Sequence, residues 1–340
     1  MSPARTGCRG CSSGPVADAP GPALIWIKAP SGSPGQSTAT GARTSAPNPG
    51  AIVVSYKLIM ALAGGGPEDA ETLAFAAALA VQHGAVAHVV PIHPDAAVDL
   101  LALGMTLGTS LSPEMKQTLS DAQRDCQTRI ETSARAAAAA VDLVFGDGEG
   151  GPRMVVHPHS VMPAENLARA LVLADLVVIG QGYLRGPGRD GRVLGQVLLD
   201  QRAPLLIARG QPDRLAGRIA VAWDGSVEAG RAVHGALPLI AMGSDLILLQ
   251  CPRGLDPTDP APEMAPLNAW LRLHGVGTGR PVPVTGPSAA EALVKGAHDH
   301  DVGLLVAGAW GHSRLREAIF GGATRAFLDD VDGPSLLLAH

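Results

Sequence analysis

Residues 56–65 read YKLIMALAGG, and residues 217–226 read GRIAVAWDGS. Each is a short β-rich run that ends in glycine before a long alanine- and leucine-rich run, so each predicts a strand handing over to a helix. The two stretches align without a gap. Further on, residues 175–180 (DLVVIG) match residues 303–308 (GLLVAG), and residues 203–206 (APLL) match residues 333–336 (GPSL). Three correspondences in the same order make an internal duplication.

Working outward, each copy predicts the same succession. The first strand is followed by a helix at 67–82 or 227–241 and a second strand at 85–92 or 245–250. A variable middle with another helix comes next, then a third strand at 154–157 or 282–285. A helix, the fourth strand, a helix and a short fifth strand complete each copy. Strands alternating with amphipathic helices are the pattern of an α/β protein with a parallel sheet. At about 150 residues per domain, 340 residues suit two such units. The boundaries fall at 55–210 and 217–340, joined by a polar linker at 209–217 that is rich in proline and glycine.

Residues 1–54 read differently. Proline, glycine, serine and threonine dominate residues 1–50, where four cations face one acid. Too little apolar surface exists there to offset the entropy of ordering, so a disordered extension is expected. An alternative places the true start near Val53 or Val54. Cys8 and Cys11 have metal-ligand spacing, but no second pair follows to complete a zinc site.

Composition narrows the function classes. A net charge of −5 gives no lysine and arginine surplus for gripping phosphates, which argues against nucleic acid. Aromatics at 3% leave few stacking platforms. No apolar run reaches the roughly 18–20 residues of a membrane span, and no secretory signal is readable. Four scattered cysteines do not make a disulfide scaffold. A soluble, reduced, cytoplasmic setting is the expectation.

In open parallel sheets ligands bind beyond the carboxyl ends of the strands, where strand order reverses. In the second copy those positions carry Asp224-Gly225-Ser226 and, after the fourth strand, Gly308, Gly311, nine intervening residues, then Gly321, Gly322 and Thr324. Glycines let backbone N–H groups approach an anion, and a helix N-terminus adds unpaired donors. The same glycines also suit plain tight turns, and Asp224 also suits a helix N-cap. The first copy carries Ala63 where the alignment puts Asp224, and Tyr183 where Gly311 would be.

At these residues the sequence resembles the universal stress protein family in its tandem form. Nucleotide-binding members carry Gly, two residues, Gly, nine residues, Gly and a hydroxyl residue, with an aspartate closing the first strand. Gly322 departs from that pattern, while Thr324 matches a threonine of binders. The resemblance implies a doubly wound five-stranded sheet of order 3-2-1-4-5, duplicated. It implies a stress-response regulator, not an enzyme beyond incidental slow hydrolysis, that binds ATP with its associated magnesium in the second copy. Asp224 would face the adenosine, Gly308 and Gly311 would admit the phosphates, and Gly321, Gly322 and Thr324 would donate hydrogen bonds. The first copy would be degenerate, the two copies would pair through their last strands as an internal pseudo-dimer, and a further homodimer stays open. The alternative is a nucleotide-free scaffold acting through protein contacts.

Other signals carry less. Residues 186–191 (GPGRDG) fit a dinucleotide fingerprint by spacing but predict a loop. Residues 63–66 are similar to the glycine loop of ATP pyrophosphatases without its serines and aspartate. No P-loop or nucleophile elbow occurs. His88, His93, His157 and His159 lie along or after neighbouring strands, where they either converge on a metal or simply meet solvent.

Overall fold

The computed structural model describes residues 54–92, 112–157, 163–184, 190–252, 263–309 and 322–340. These residues fall in one compact unit, Asn48–His340. Their strands are β1 (Leu58–Ala63), β2 (Val86–Pro91), β3 (Val144–Phe145), β4 (Arg153–Val156), β5 (Leu176–Gly180) and β6 (Leu205–Ala208) in the first half. The second half holds β7 (Arg218–Ala222), β8 (Asp245–Gln250), β9 (Arg280–Pro283), β10 (Val302–Gly308) and β11 (Ser335–Ala339). The helices are α1 (Asp69–His83), α2 (Pro113–Ala139), α3 (Pro163–Leu171), α4 (Asp190–Gly195), α5 (Val227–Ile240), α6 (Met264–Leu273), α7 (Ala289–Asp299) and α8 (Gly322–Asp329).

All eleven strands join one sheet in the order β3-β4-β2-β1-β5-β6-β11-β10-β7-β8-β9. Each half therefore has the expected 3-2-1-4-5 order, and the first half gains β3 as a sixth, two-residue edge strand. Pairing is parallel throughout except at one seam, where β6 and β11 run antiparallel with Leu206 opposite Leu337.

The strands LIMALA, LVVIG, LLIA and SLLLA are apolar without alternation because helices cover both faces. One face carries Ile59, Ala61, Val89, Val178, Leu206, Val221 and Leu337 beneath α1, α2, α5 and α6. The other carries Met60, Leu62, Ile179, Leu205, Leu305 and Leu338 beneath α3, α4, α7 and α8. Residues of both halves enter both clusters, so the duplication is twofold in topology but shared in packing. In α2, Cys126, Ile130, Ala134 and Ala138 recur every four residues and are all buried, which is the stripe a helix lays on a sheet.

Two local expectations change. Asp190 and Gly191, read as part of a loop, open α4, and residues 186–189 lie outside the described residues. The linker is not a loose polar connection, because Arg209 and Leu215 within it are buried. Its residues Pro212–Ala216 form a 3-10 turn. The extension at 1–54 lies outside the described residues apart from Val54.

Candidate functional site

Strand β7 ends at Ala222, and Trp223 and Asp224 follow at the carboxyl edge of the sheet. Ser226 is the N-cap of α5, its hydroxyl accepting from the Ala229 N–H at 3.1 Å. Asp224 accepts the Ser226 N–H through Oδ1 at 2.9 Å, so the capping alternative passes to Ser226 and Asp224 closes the turn before it. The carboxylate is half-exposed. Trp223 beside it has its indole N–H buried with no partner.

Gly308 ends β10 against the first turn of α5. A β-carbon there would sit 2.6 Å from the Ala229 nitrogen and 2.8 Å from the Glu228 carbonyl carbon. The glycine is therefore needed to bring strand and helix together. Gly180 plays the same part in the first half, where a β-carbon would meet Thr72 Oγ1 at 2.7 Å and the Glu68 carbonyl at 3.2 Å. Gly322 opens α8, and Thr324 in its first turn is 3% exposed. Gly311 and Gly321 lie outside the described residues. Asp224 and Gly308 thus lie at the second half's carboxyl edge, while residues 310–321, which lead to α8, lie outside the described residues.

Strand register corrects the alignment of the copies by one residue. Ala61 lies opposite Val178 and Val221 opposite Val306, each two residues before the terminal glycine of the fourth strand. Ala61 therefore matches Val221, Ala63 matches Trp223, and Gly64 rather than Ala63 matches Asp224. Runs buried on both faces lack the alternation that pins register, so the slip was invisible in sequence.

The matching crevice of the first half is filled by its own side chains. Asp69 is 1% exposed and accepts from the Gly64 and Gly65 N–H groups at 2.8 and 2.7 Å. Burial raises its carboxyl above the ordinary range, and the two backbone donors oppose that shift. Cys126 donates to the Gly64 carbonyl at 3.3 Å, and Arg129 donates to that of Gly65 at 2.8 Å. Burial pushes the Cys126 thiol up. Tyr183, buried, covers Gly64. None of these closing groups except Tyr183 was read from the sequence, because they arrive from α1 and α2.

Histidines 88 and 157 meet on β2 and beyond β4, with Nδ1 and Nε2 2.6 Å apart. Burial first, then mutual repulsion at His88, lowers both below the ordinary imidazole value, and Asp147 acts the other way. His93 and His159 lie outside the described residues. No group of three or more metal-ligating side chains occurs among the described residues. No helix among them is long and apolar enough to cross a membrane.

No protein-family model matches the chain, and a search of curated proteins gives no match. Solved structures do match. A universal stress protein from Archaeoglobus fulgidus DSM 4304 is 13% identical, with 83% of this chain and 95% of that one covered at a TM-score of 0.59. A putative universal stress protein from Pseudomonas aeruginosa UCBPP-PA14 is 14% identical, with 84% and 93% covered and a TM-score of 0.44. A functionally unknown protein from Pseudomonas aeruginosa PAO1 is 13% identical, with 84% and 92% covered and a TM-score of 0.45. With its strand order and the first of these matches, the chain has the universal stress protein fold, written twice in tandem.

Proposed function

We propose that this chain is a cytoplasmic stress-response regulator that binds an adenine nucleotide, ATP with its magnesium, at the carboxyl edge of its second half. The observation that carries the reading is the contrast between the two crevices. In the first, Asp69, Cys126 and Tyr183 occupy the space beyond β1, and the Asp69 carboxylate takes up the N–H groups of Gly64 and Gly65. In the second, Asp224 stands half-exposed at the matching position, one oxygen closing a turn. Its second oxygen is suited to an adenosine hydroxyl or amine.

On this reading Gly308 and Gly311 admit the phosphates. Gly321, Gly322 and Thr324 offer donors from the start of α8, where the helix dipole favours negative charge. Gly308 does double service, since strand-to-helix packing already requires it. The protein works as a binder that changes shape or partners, not as a catalyst. The units 55–210 and 217–340 would act as an internal pseudo-dimer about the β6–β11 seam, and association of two whole chains is compatible with it.

A nucleotide-free scaffold is the second reading, favoured by Gly322 standing where a hydroxyl is expected. Calorimetric titration of the full chain with magnesium ATP separates the two. Saturable heat that Asp224→Ala reduces supports the nucleotide site. Unaltered affinity in that variant removes Asp224 from it, and no heat at all favours the scaffold.

A further inference from the structure

We infer that Arg209 and Gln181 are positioning residues through which the first half holds the helix that opens the second half's nucleotide site; this rests on the nucleotide reading above. Arg209 follows β6 and is 6% exposed. Its guanidinium donates to the carbonyls of Phe327 at 2.6 Å and Pro334 at 2.9 Å, and to Gln181 Oε1 at 3.0 Å. Gln181, also buried, passes the contact on by donating to the Leu328 carbonyl at 2.9 Å. The Ser335 hydroxyl accepts from the Arg209 N–H and donates to its carbonyl, which fixes the residue at the β6–β11 seam.

Phe327 and Leu328 are among the last four residues of α8, whose carbonyls have no partners within the helix. Two of those groups are thus satisfied by the first half, and a guanidinium there also complements the negative end of the helix dipole. The opposite end of α8 carries Gly322 and Thr324. A helix of eight residues is only about 12 Å long and moves as a rod, so what fixes one end sets the other. A nucleotide at the first turn and the clamp at the last turn then bias the same equilibrium, each strengthening the other.

The corresponding positions of the second half carry different residues. Gly180 pairs with Ala208 and Gly308 with Ala339, so Ala309 stands where Gln181 does and His340 where Arg209 does. His340 reaches the Ala309 carbonyl at 2.9 Å. The methyl of Ala309 carries no donor or acceptor, unlike the Gln181 amide at the matching position.

The test uses the full chain with Gln181→Leu and Arg209→Lys, each also combined with Thr324→Ala. Two readouts are taken: magnesium ATP affinity by calorimetry, and amide hydrogen exchange without nucleotide. The expected result is an affinity loss of about 5- to 10-fold, the low end of usual coupling between sites. That loss should shrink in the Thr324→Ala background, whereas general destabilisation would leave the factors independent. Protection should fall over residues 322–329 and persist in β7. Unchanged affinity in both variants, or exchange that rises evenly across the chain, overturns the inference. If the unmodified protein binds no ATP, the nucleotide reading fails on its own. Exchange over residues 322–329 then decides the clamp: selective loss supports it, and unchanged protection overturns it.

Discussion

Tyr183 lies so close to Gly64 that a β-carbon on the glycine would sit 3.0 Å from its Cε2. That contact helps close the first crevice, together with Asp69 and Cys126. Removing the ring by Tyr183→Ala should cost about 3–4 kcal/mol, as deleting a buried aromatic does. Equilibrium urea unfolding of the full chain measures it, and ATP stoichiometry should stay unchanged because Asp69 still occupies the Gly64 and Gly65 N–H groups.

Two glycines of the second half should respond in opposite senses to alanine. Gly308→Ala drives a methyl onto the Ala229 nitrogen at 2.6 Å and is expected to destabilise by at least 2 kcal/mol, on the order of an overpacked core. Gly230, inside α5, has nothing within 4 Å of the same atom, and Gly230→Ala should stabilise by about 0.5–1 kcal/mol. Thermal unfolding midpoints that move in the same direction for both would contradict the packing assigned to Gly308.

Acid should weaken the first half. His83, His88 and His157 are all lowered from 6.5, chiefly by burial. The unfolded chain then takes up protons that the folded one resists. Stability is full above pH 6.5 and is lost as pH falls through the lowered folded values. The thermal midpoint should therefore drop between pH 7 and pH 5. His157→Gln should flatten that slope, and a slope identical to the parent's would show that the pair does not titrate as described.

Cutting the chain after residue 210 separates β6 from β11 and bares an apolar edge on each piece. Leu205 to Ile207 and Leu336 to Leu338 lose their partners. The fragments are expected to self-associate or precipitate, as light scattering would reveal. Two well-behaved monomers would show that the seam is dispensable.

Much of the fold was legible because its evidence is local. The repeated strand endings, the glycine after each fourth strand and the 3-2-1-4-5 order implied by the resemblance all reappear. What stayed hidden depends on contacts across long sequence separations. The one-residue slip between Ala63 and Gly64 could not be seen in runs buried on both faces. The closing of the first crevice by Asp69 and Cys126 has no motif, since α2 reaches β1 only in three dimensions. The burial of Arg209, bonded to Phe327 more than 100 residues away, could not be seen in a stretch that reads as polar. For the candidate site, the position of Asp224 just past β7 and of Gly308 at the end of β10 was readable, but the packing duty of Gly308 was not.

The claim that one crevice is open and the other filled is tested most directly by photolabelling the full chain with 8-azido-ATP and mapping the modified peptides. The account predicts a single saturable label within residues 218–231 or 303–329, displaced by ATP. Displaceable label within residues 58–75 or 176–184 would contradict it.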